Sequence, residues 1–459
     1  MDLKALDKVL CGEIWTGGET WQNLLYLCDE CGHRFVGSPG YRKAADYVAA
    51  KFAAYGLEKV ALEPFAARGW QRGPTQITLL GSTPRAVPCI ALPYCTPCDI
   101  QLELINLGHG TPEEIAKHKD EIPGKAALVM NGMPPDDKRY IHRMEKYMRA
   151  QEAGAAAFLF IDNTPGYLPI TGGLPEKGAH VPGVGLTYEE GQGLVRLVQA
   201  GEKPRIRLQV ESATEPVTSW NVVGELPGTD LADEIIIVGG HLDSHDLCAG
   251  ATDNASGMAL VLEAARVLGM QKGLLRRTIR FIGFGAEELG LIGSDAYVEA
   301  HAAELPRVQF MLNLDVTGAN IANALALHGC PELIPYFQDA AKEMAYDLSV
   351  TSAFHPYSDH FAFVMAGVPA GSLGHTGGPS RQGYAHTPAD TVDKVVPLEL
   401  QISAMAVTRL LLRMAQADAW QGTRKTQAQV RELVTKSPFA DALRFEGRWR
   451  WTDESEEQA

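Results

Sequence analysis

Five short stretches of this 459-residue chain set histidines and carboxylates at spacings that suit metal chemistry. The first is His241-Leu-Asp243-Ser-His245-Asp246. His241 and Asp243 are two apart, so in extended backbone they point the same way. A metal-binding imidazole needs an acceptor on its other nitrogen, and His-x-Asp supplies ligand and orienting partner together. The second is Gly250-Ala-Thr-Asp253-Asn254-Ala-Ser256-Gly257. Asp253 reads either as a helix cap or as a carboxylate shared by two cations, since it offers two oxygens. The third is the pair Glu287-Glu288, bracketed by Gly285 and Gly290 after an apolar run. Adjacent side chains diverge, so one can ligate while the other serves a water as general base. The fourth is Asn313-Leu-Asp315, and the fifth Tyr384-Ala-His386-Thr-Pro-Ala-Asp390-Thr. Each alone has an ordinary reading as a solvated turn, a cap or a surface group. Together they offer two imidazoles, three carboxylates and a spare glutamate with no thiolate. That donor set suits two cations, Zn²⁺ before others. Two such ions can share a water, lower its pKa and clamp a tetrahedral intermediate.

The elements that must position these residues are strands followed by loops. E-I-I-I-V-G-G (234–240) is near-continuously apolar, as expected of a strand covered on both faces. T-I-R-F-I-G-F-G (278–285), F-M-L-N-L-D (310–315) and P-A-G-S-L (369–373) read as further strands. Helices are expected over 257–268, 294–303, 332–345, 360–366 and 398–415. The chemistry-bearing residues then fall at strand C-termini, the edge where open α/β sheets build sites. Upstream, 6–55 is mostly helical, and 59–65 and 75–80 read as separate strands. Between 99 and 210 a second strand–helix alternation appears: strands at 124–129, 155–162 and 181–187, helices at 139–153 and 189–200. It could bury its own core. The expected division is 1–98, 99–212, 213–417 and a polar C-terminal tail, 418–459, with Trp449 and Trp451 docked.

Composition excludes several classes. The formal charge of −15 argues against a phosphate-backbone binder, so no nucleic acid partner is expected. No apolar run is long enough for a membrane span, and the N-terminus lacks the apolar core of a secretory signal; a cytoplasmic location is expected. Reduced thiols are then the default. Cys28/Cys31 and Cys95/Cys98 could make a four-sulfur zinc site, but the long separation between the pairs favours buried thiols.

In their order, G-G-H-L-D-S, G-A-T-D-N-A-S-G, G-A-E-E-L-G-L-I-G-S, N-L-D and A-H-T-P-A-D-T resemble the co-catalytic di-zinc exopeptidases. That family includes bacterial aminopeptidases and glutamate carboxypeptidases. Y-S-D-H-F-A-F-V-M-A-G-V-P-A fits its helix–strand segment, and L-C-D-E-C-G-H-R-F-V-G-S-P-G near the N-terminus is most similar to its carboxypeptidase Q branch. The resemblance implies a three-layer α/β/α mixed sheet with an inserted protease-associated domain. It also implies two Zn²⁺ per chain: His241 and Asp315 on one, Glu288 and His386 on the other, Asp253 bridging. Glu287 would be the general base acting on a zinc-bridging hydroxide, Asp243 would orient His241, and Asp390 would orient His386. A cis peptide is implied at Asp253–Asn254. Many members carry a tyrosine directly before the last histidine, where this chain has Ala385; Tyr384 or Tyr357 could substitute in supporting the oxyanion. The implied activity is removal of N-terminal residues from peptides, or cleavage of dipeptides. A carboxypeptidase, with Arg381 for the substrate carboxylate, is the alternative. A single-zinc glutaminyl cyclase-like acyltransferase and a non-catalytic receptor-like protein are the others, and a homodimer is left open.

Overall fold

The computed structural model describes residues 2–134, 139–377 and 382–451. By backbone contacts the chain divides into two units. The first comprises Met1–Ala67, Pro216–Ala385 and Ala389–Leu433; the second comprises Arg68–Glu215, His386–Pro388 and the chain from Val434 onward.

The first unit is built on a mixed sheet whose centre is Leu231–His241. Arg277–Phe284 and Val308–Asn313 flank it in parallel. Ala370–Gly374 lies parallel to Val308–Asn313, and Ala324–His328 antiparallel to Ala370–Gly374. Ser349–Ala353 closes that edge in parallel. On the other side Val222–Leu226 pairs antiparallel with Arg277–Phe284. Strand alternation sends neighbouring residues to opposite faces, and here each face meets its own core. Ile236, Val238, Phe281 and Leu312 pack with residues of helices Leu3–Gly17, Pro39–Ala54, Ser256–Gly269 and Pro397–Gln416. Ile235, Ile237, Phe284 and Met311 pack with residues of helices Ile292–Ala300 and His360–Met365. This is the expected three-layer α/β/α arrangement. It explains why the central strand is apolar from Ile235 to Gly240: with both faces covered there, no position is left for a solvated side chain.

The second unit has a parallel run of Cys98–Asn106, Ala126–Met130, Ala157–Ile161 and Gly183–Leu186. Arg205–Val210 pairs antiparallel with its first strand and Cys89–Ala91 with its last. Helices Arg143–Glu152 and Tyr188–Gln199 complete the strand–helix alternation. Tyr147, fully buried, donates its hydroxyl to Val181 O at 2.7 Å and accepts from Val181 N–H at 3.0 Å.

Two expectations are corrected. Residues 59–65 and 75–80 belong to one 23-residue strand, Glu58–Leu80; ladder pairing with a neighbouring strand carries it through the Gly- and Pro-containing middle that reads as a break. Arg205–Leu226, likewise long and mostly polar in its first half, is also one strand, and the division between the two units falls within it. The tail after residue 417 forms two helices, Gln427–Lys436 and Ala440–Phe445, which bury Val430, Val434 and Leu443. Among the described residues no helix is long and apolar enough to cross a membrane.

Candidate metal centre

Parallel pairing brings the chemistry to one sheet edge. Phe284 sits opposite His241, and Asn313 opposite Gly239. The loops that follow these strands therefore start side by side, carrying Asp243 and His245, Glu287 and Glu288, and Asp315. Two glycines permit the close approach. A Cβ at Gly240 or at Gly257 would stand 2.3 Å from the carbonyl oxygen of Leu314. Asn254 laces these loops together: its Nδ2 donates to Leu314 O at 2.8 Å, and its Oδ1 accepts from the N–H groups of Val316 and Gly257. The peptide between Asp253 and Asn254 is cis. Ala286, Val316 and His386 hold positive φ of 59, 54 and 62°, left-handed backbone that costs a non-glycine residue roughly 1 kcal/mol or more. All three are candidate donors or their chain neighbours.

Two donor groups result. In the first, His241 Nε2 lies 3.0 Å from Asp253 Oδ1 and 3.3 Å from Asp315 Oδ1. In the second, His245 Nε2 lies 2.8 Å from Glu288 Oε2, and ligand atoms of His245, Glu288 and His386 fall within 4.8 Å of one another. The first group tests directly whether a cation fits. His241 Nδ1 is 3.2 Å from the carbonyl oxygen of Asp243, which can only accept, so Nδ1 carries the proton. In the neutral ring Nε2 is then a lone pair facing two carboxylate oxygens, and only positive charge between them relieves that arrangement. The ring's proton affinity records the same demand. Burial alone would lower the His241 pKa, yet Asp315, Asp243 and Asp253 raise it well above its ordinary value. The residues therefore fit borderline cations with nitrogen and oxygen donors.

The surrounding side chains hold these donors in place. Asp243 is fully buried. Its Oδ1 accepts from the Glu287 N–H at 3.1 Å and its Oδ2 from the Glu288 N–H at 3.2 Å, while Oδ1 stands 3.6 Å from His241 Nδ1. One carboxylate thus ties the first donor strand to the glutamate turn. Ser358 Oγ donates to Asp315 Oδ2 at 2.5 Å and accepts from Asn313 Nδ2 at 2.7 Å. Arg34, fully buried, threads the loop after His241: Nε donates to Leu242 O at 2.7 Å and an Nη to Gly250 O at 3.1 Å. Its own N–H donates to Ser244 Oγ at 2.9 Å. Burial pushes the Glu287 carboxyl pKa well up, with Asp315, Glu288 and Asp359 adding to it against the pull of His241. Burial likewise pushes Asp359 up to about 8.

The structure brings together His241, Asp253 and Asp315, and places Glu288 with His386, as the resemblance implies. It adds two points. His245 stands in the second donor group. Asp390, expected behind His386, accepts from Thr252 N–H at 2.8 Å and Asp253 N–H at 3.1 Å, so it fixes the backbone of Asp253. The C-x-x-C thiols belong to no candidate metal group among the described residues, and burial pushes those of Cys28 and Cys95 up to about 12. Tyr384 stacks under the Lys394 ammonium at 4.9 Å, and Tyr357 is half-buried in the loop that carries Ser358. Arg381 lies outside the described residues. Arg34, Asn254, Ser358 and Asp359 all escaped the sequence reading as positioning groups. All four stand within the quoted motifs, but their own neighbourhoods do not mark them.

Comparison with known proteins agrees with this geometry. Residues 221–411 match peptidase family M28, and residues 98–194 match the PA domain. Aminopeptidase YwaD of Bacillus subtilis (strain 168) is 30% identical over 339 residues, covering 72% of this chain and 70% of that protein. Carboxypeptidase Q of Mus musculus is 27% identical over 371 residues, covering 77% of each. The solved structure of a zinc aminopeptidase from Bacillus subtilis superposes with a TM-score of 0.68 at 26% identity, over 89% of this chain and 98% of that one. The chain belongs to peptidase family M28 and is a zinc-dependent metallopeptidase with an inserted PA domain.

Proposed function

We propose that the protein is a di-zinc exopeptidase that removes the N-terminal residue from peptides or splits dipeptides. The observation that carries this reading is the pair of donor groups at one sheet edge, His241–Asp253–Asp315 and His245–Glu288–His386. Each group would hold one Zn²⁺, with the second carboxylate oxygen of Asp253 available to the other ion. His241, Asp253 and Asp315, with His245, Glu288 and His386, would hold the ions, which would supply Lewis acidity toward a water and the scissile carbonyl.

The chain's own groups do the rest. The Glu287 carboxyl accepts the proton of the attacking water and then delivers it to the leaving amine. Asp243 keeps Glu287 and Glu288 in register with His241 through the two N–H bonds described above. Arg34 and Asn254 keep the three loops from spreading. The aminopeptidase activity named in the Bacillus subtilis relative, 30% identical to this chain, supports the N-terminal reading.

Two substrates separate the readings: a leucyl anilide and an N-blocked peptide with a free C-terminus. Turnover of the anilide alone is expected. Turnover of only the blocked peptide would overturn the N-terminal assignment in favour of a carboxypeptidase, the activity named in the mouse relative.

A further inference from the structure

We propose that His328, His355 and His360 form an additional metal site, made by residues outside both donor groups above. It would take a borderline transition-metal ion such as Zn²⁺, Cu²⁺ or Ni²⁺ through three imidazole nitrogens. His328 ends strand Ala324–His328, and His355 follows strand Ser349–Ala353, whose last residue pairs with His328. His360 opens helix His360–Met365. One ligand atom of each lies within 4.8 Å of the others. The rings of His328 and His360 stack at 3.8 Å, and His355 stands edge-on to both at 4.8 and 4.6 Å.

Hydrogen bonding fixes which nitrogens carry protons. His360 Nε2 lies 3.0 Å from the carbonyl oxygen of His355. A carbonyl only accepts, so Nε2 carries the proton and Nδ1 is a lone pair. That Nδ1 is 3.2 Å from Ser372 Oγ, so the serine hydroxyl donates to it. Ser372 has one proton, and it is now committed. His328 Nε2, 2.9 Å from the same oxygen, must therefore be the donor there, which leaves His328 Nδ1 as a bare lone pair. His328 is 2% exposed, and this Nδ1 has no hydrogen-bond partner. Protonation does not fill the vacancy, because burial and the neighbouring His355 hold the His328 pKa well below its ordinary value.

A buried histidine with one nitrogen donating to a fixed oxygen and the other bare is the arrangement of a metal ligand. With nitrogen donors and neither thiolate nor carboxylate, the group suits zinc, copper or nickel and disfavours calcium and magnesium. Three imidazoles leave an open position. His360 Nδ1 joins when the Ser372 hydroxyl turns away from it. His355 is half-buried and lies in the loop between strand and helix. The same stretch carries Ser358, which donates to Asp315, so an ion bound here would brace that contact.

The test uses the full chain, stripped of metal with a chelator and titrated with Co²⁺ by calorimetry and visible absorption. The unsubstituted protein is expected to bind one equivalent more than His355→Ala and than the double variant His328→Ala/His355→Ala. His355→Cys is expected to add a sulfur-to-cobalt charge-transfer band that the unsubstituted protein lacks. Because His355 lies on a loop and is half-buried, its single variants should keep the fold, checked by circular dichroism. Equal stoichiometry in the unsubstituted protein and His355→Ala, together with no new band in His355→Cys, would overturn the proposal.

Discussion

Asp243→Asn isolates the carboxylate that ties the donor strand to the glutamate turn. In the structure Oδ1 accepts from Glu287 N–H at 3.1 Å and Oδ2 from Glu288 N–H at 3.2 Å, in full burial. An asparagine keeps the shape but has one accepting end, so one of the two N–H groups must face an NH₂. A hydrogen bond to a charged acceptor contributes roughly 1.5–3 kcal/mol, and the stranded N–H costs about 1–3 kcal/mol more. The variant should therefore lose on the order of 3–5 kcal/mol of stability. The turn then relaxes away from His241, and changes of this kind behind a metal ligand cost about 10–100-fold in metal affinity or activity. Urea unfolding, competition with a chromophoric chelator and kcat/KM on a leucyl anilide report the three quantities. A variant that unfolds within about 0.5 kcal/mol of the parent and binds zinc equally well would refute the linking role assigned to Asp243.

Glu287→Gln keeps the side chain's size and removes its proton acceptor; kcat should fall by roughly 10²–10⁴ while zinc content by mass spectrometry stays at the parental level, and parental kcat would exclude Glu287 as base. His245→Ala removes one of the grouped donors, so one of two bound zinc ions should dissociate at a lower chelator concentration; unchanged retention would return His245 to a structural role. Arg34→Ala strands the carbonyls of Leu242 and Gly250 inside the molecule and should destabilise by roughly 3–5 kcal/mol, read from denaturant midpoints, with a midpoint near the parent's counting against the clamp. In the second unit, burial pushes the Asp162 carboxyl up to about 6 against the Asn163 N–H bond that opposes it. Between about pH 4 and pH 6 the folded form holds a proton that the unfolded chain has released, so stability should decline as pH rises through that window, by on the order of 2–3 kcal/mol. Asp162→Asn should flatten this slope, and an identical pH profile would contradict it.

The donors were legible because strand ends in a two-face-covered sheet announce themselves. From Ile235 the strand Leu231–His241 is apolar until the chain meets His241, and a polar residue at that border has few structural uses. Parallel pairing then makes neighbours of the loops that carry His241, Glu288 and Asp315, which sequence spacing alone does not show. The positioning residues were harder to see. An arginine is ordinarily exposed, and nothing local in C-G-H-R-F-V marks Arg34 for full burial; its acceptors Leu242 O and Gly250 O lie more than 200 positions away. Asp390 shows the same limit, since its partners Thr252 and Asp253 are set by loop packing rather than by its own neighbourhood. His245 was passed over because it lies four residues past a strand end, beyond the reach of strand alternation. The long strands Glu58–Leu80 and Arg205–Leu226 were masked by polar and Gly/Pro residues, and long-range pairing outweighs local propensity there.

The central claim is that donors scattered from His241 to His386 hold two ions. Diffraction from zinc-loaded crystals on either side of the zinc absorption edge measures this directly. Two anomalous peaks are predicted, one among His241, Asp253 and Asp315 and the other among His245, Glu288 and His386, about 3.5–4 Å apart. A single peak, or none, between these side chains at saturating zinc would contradict it.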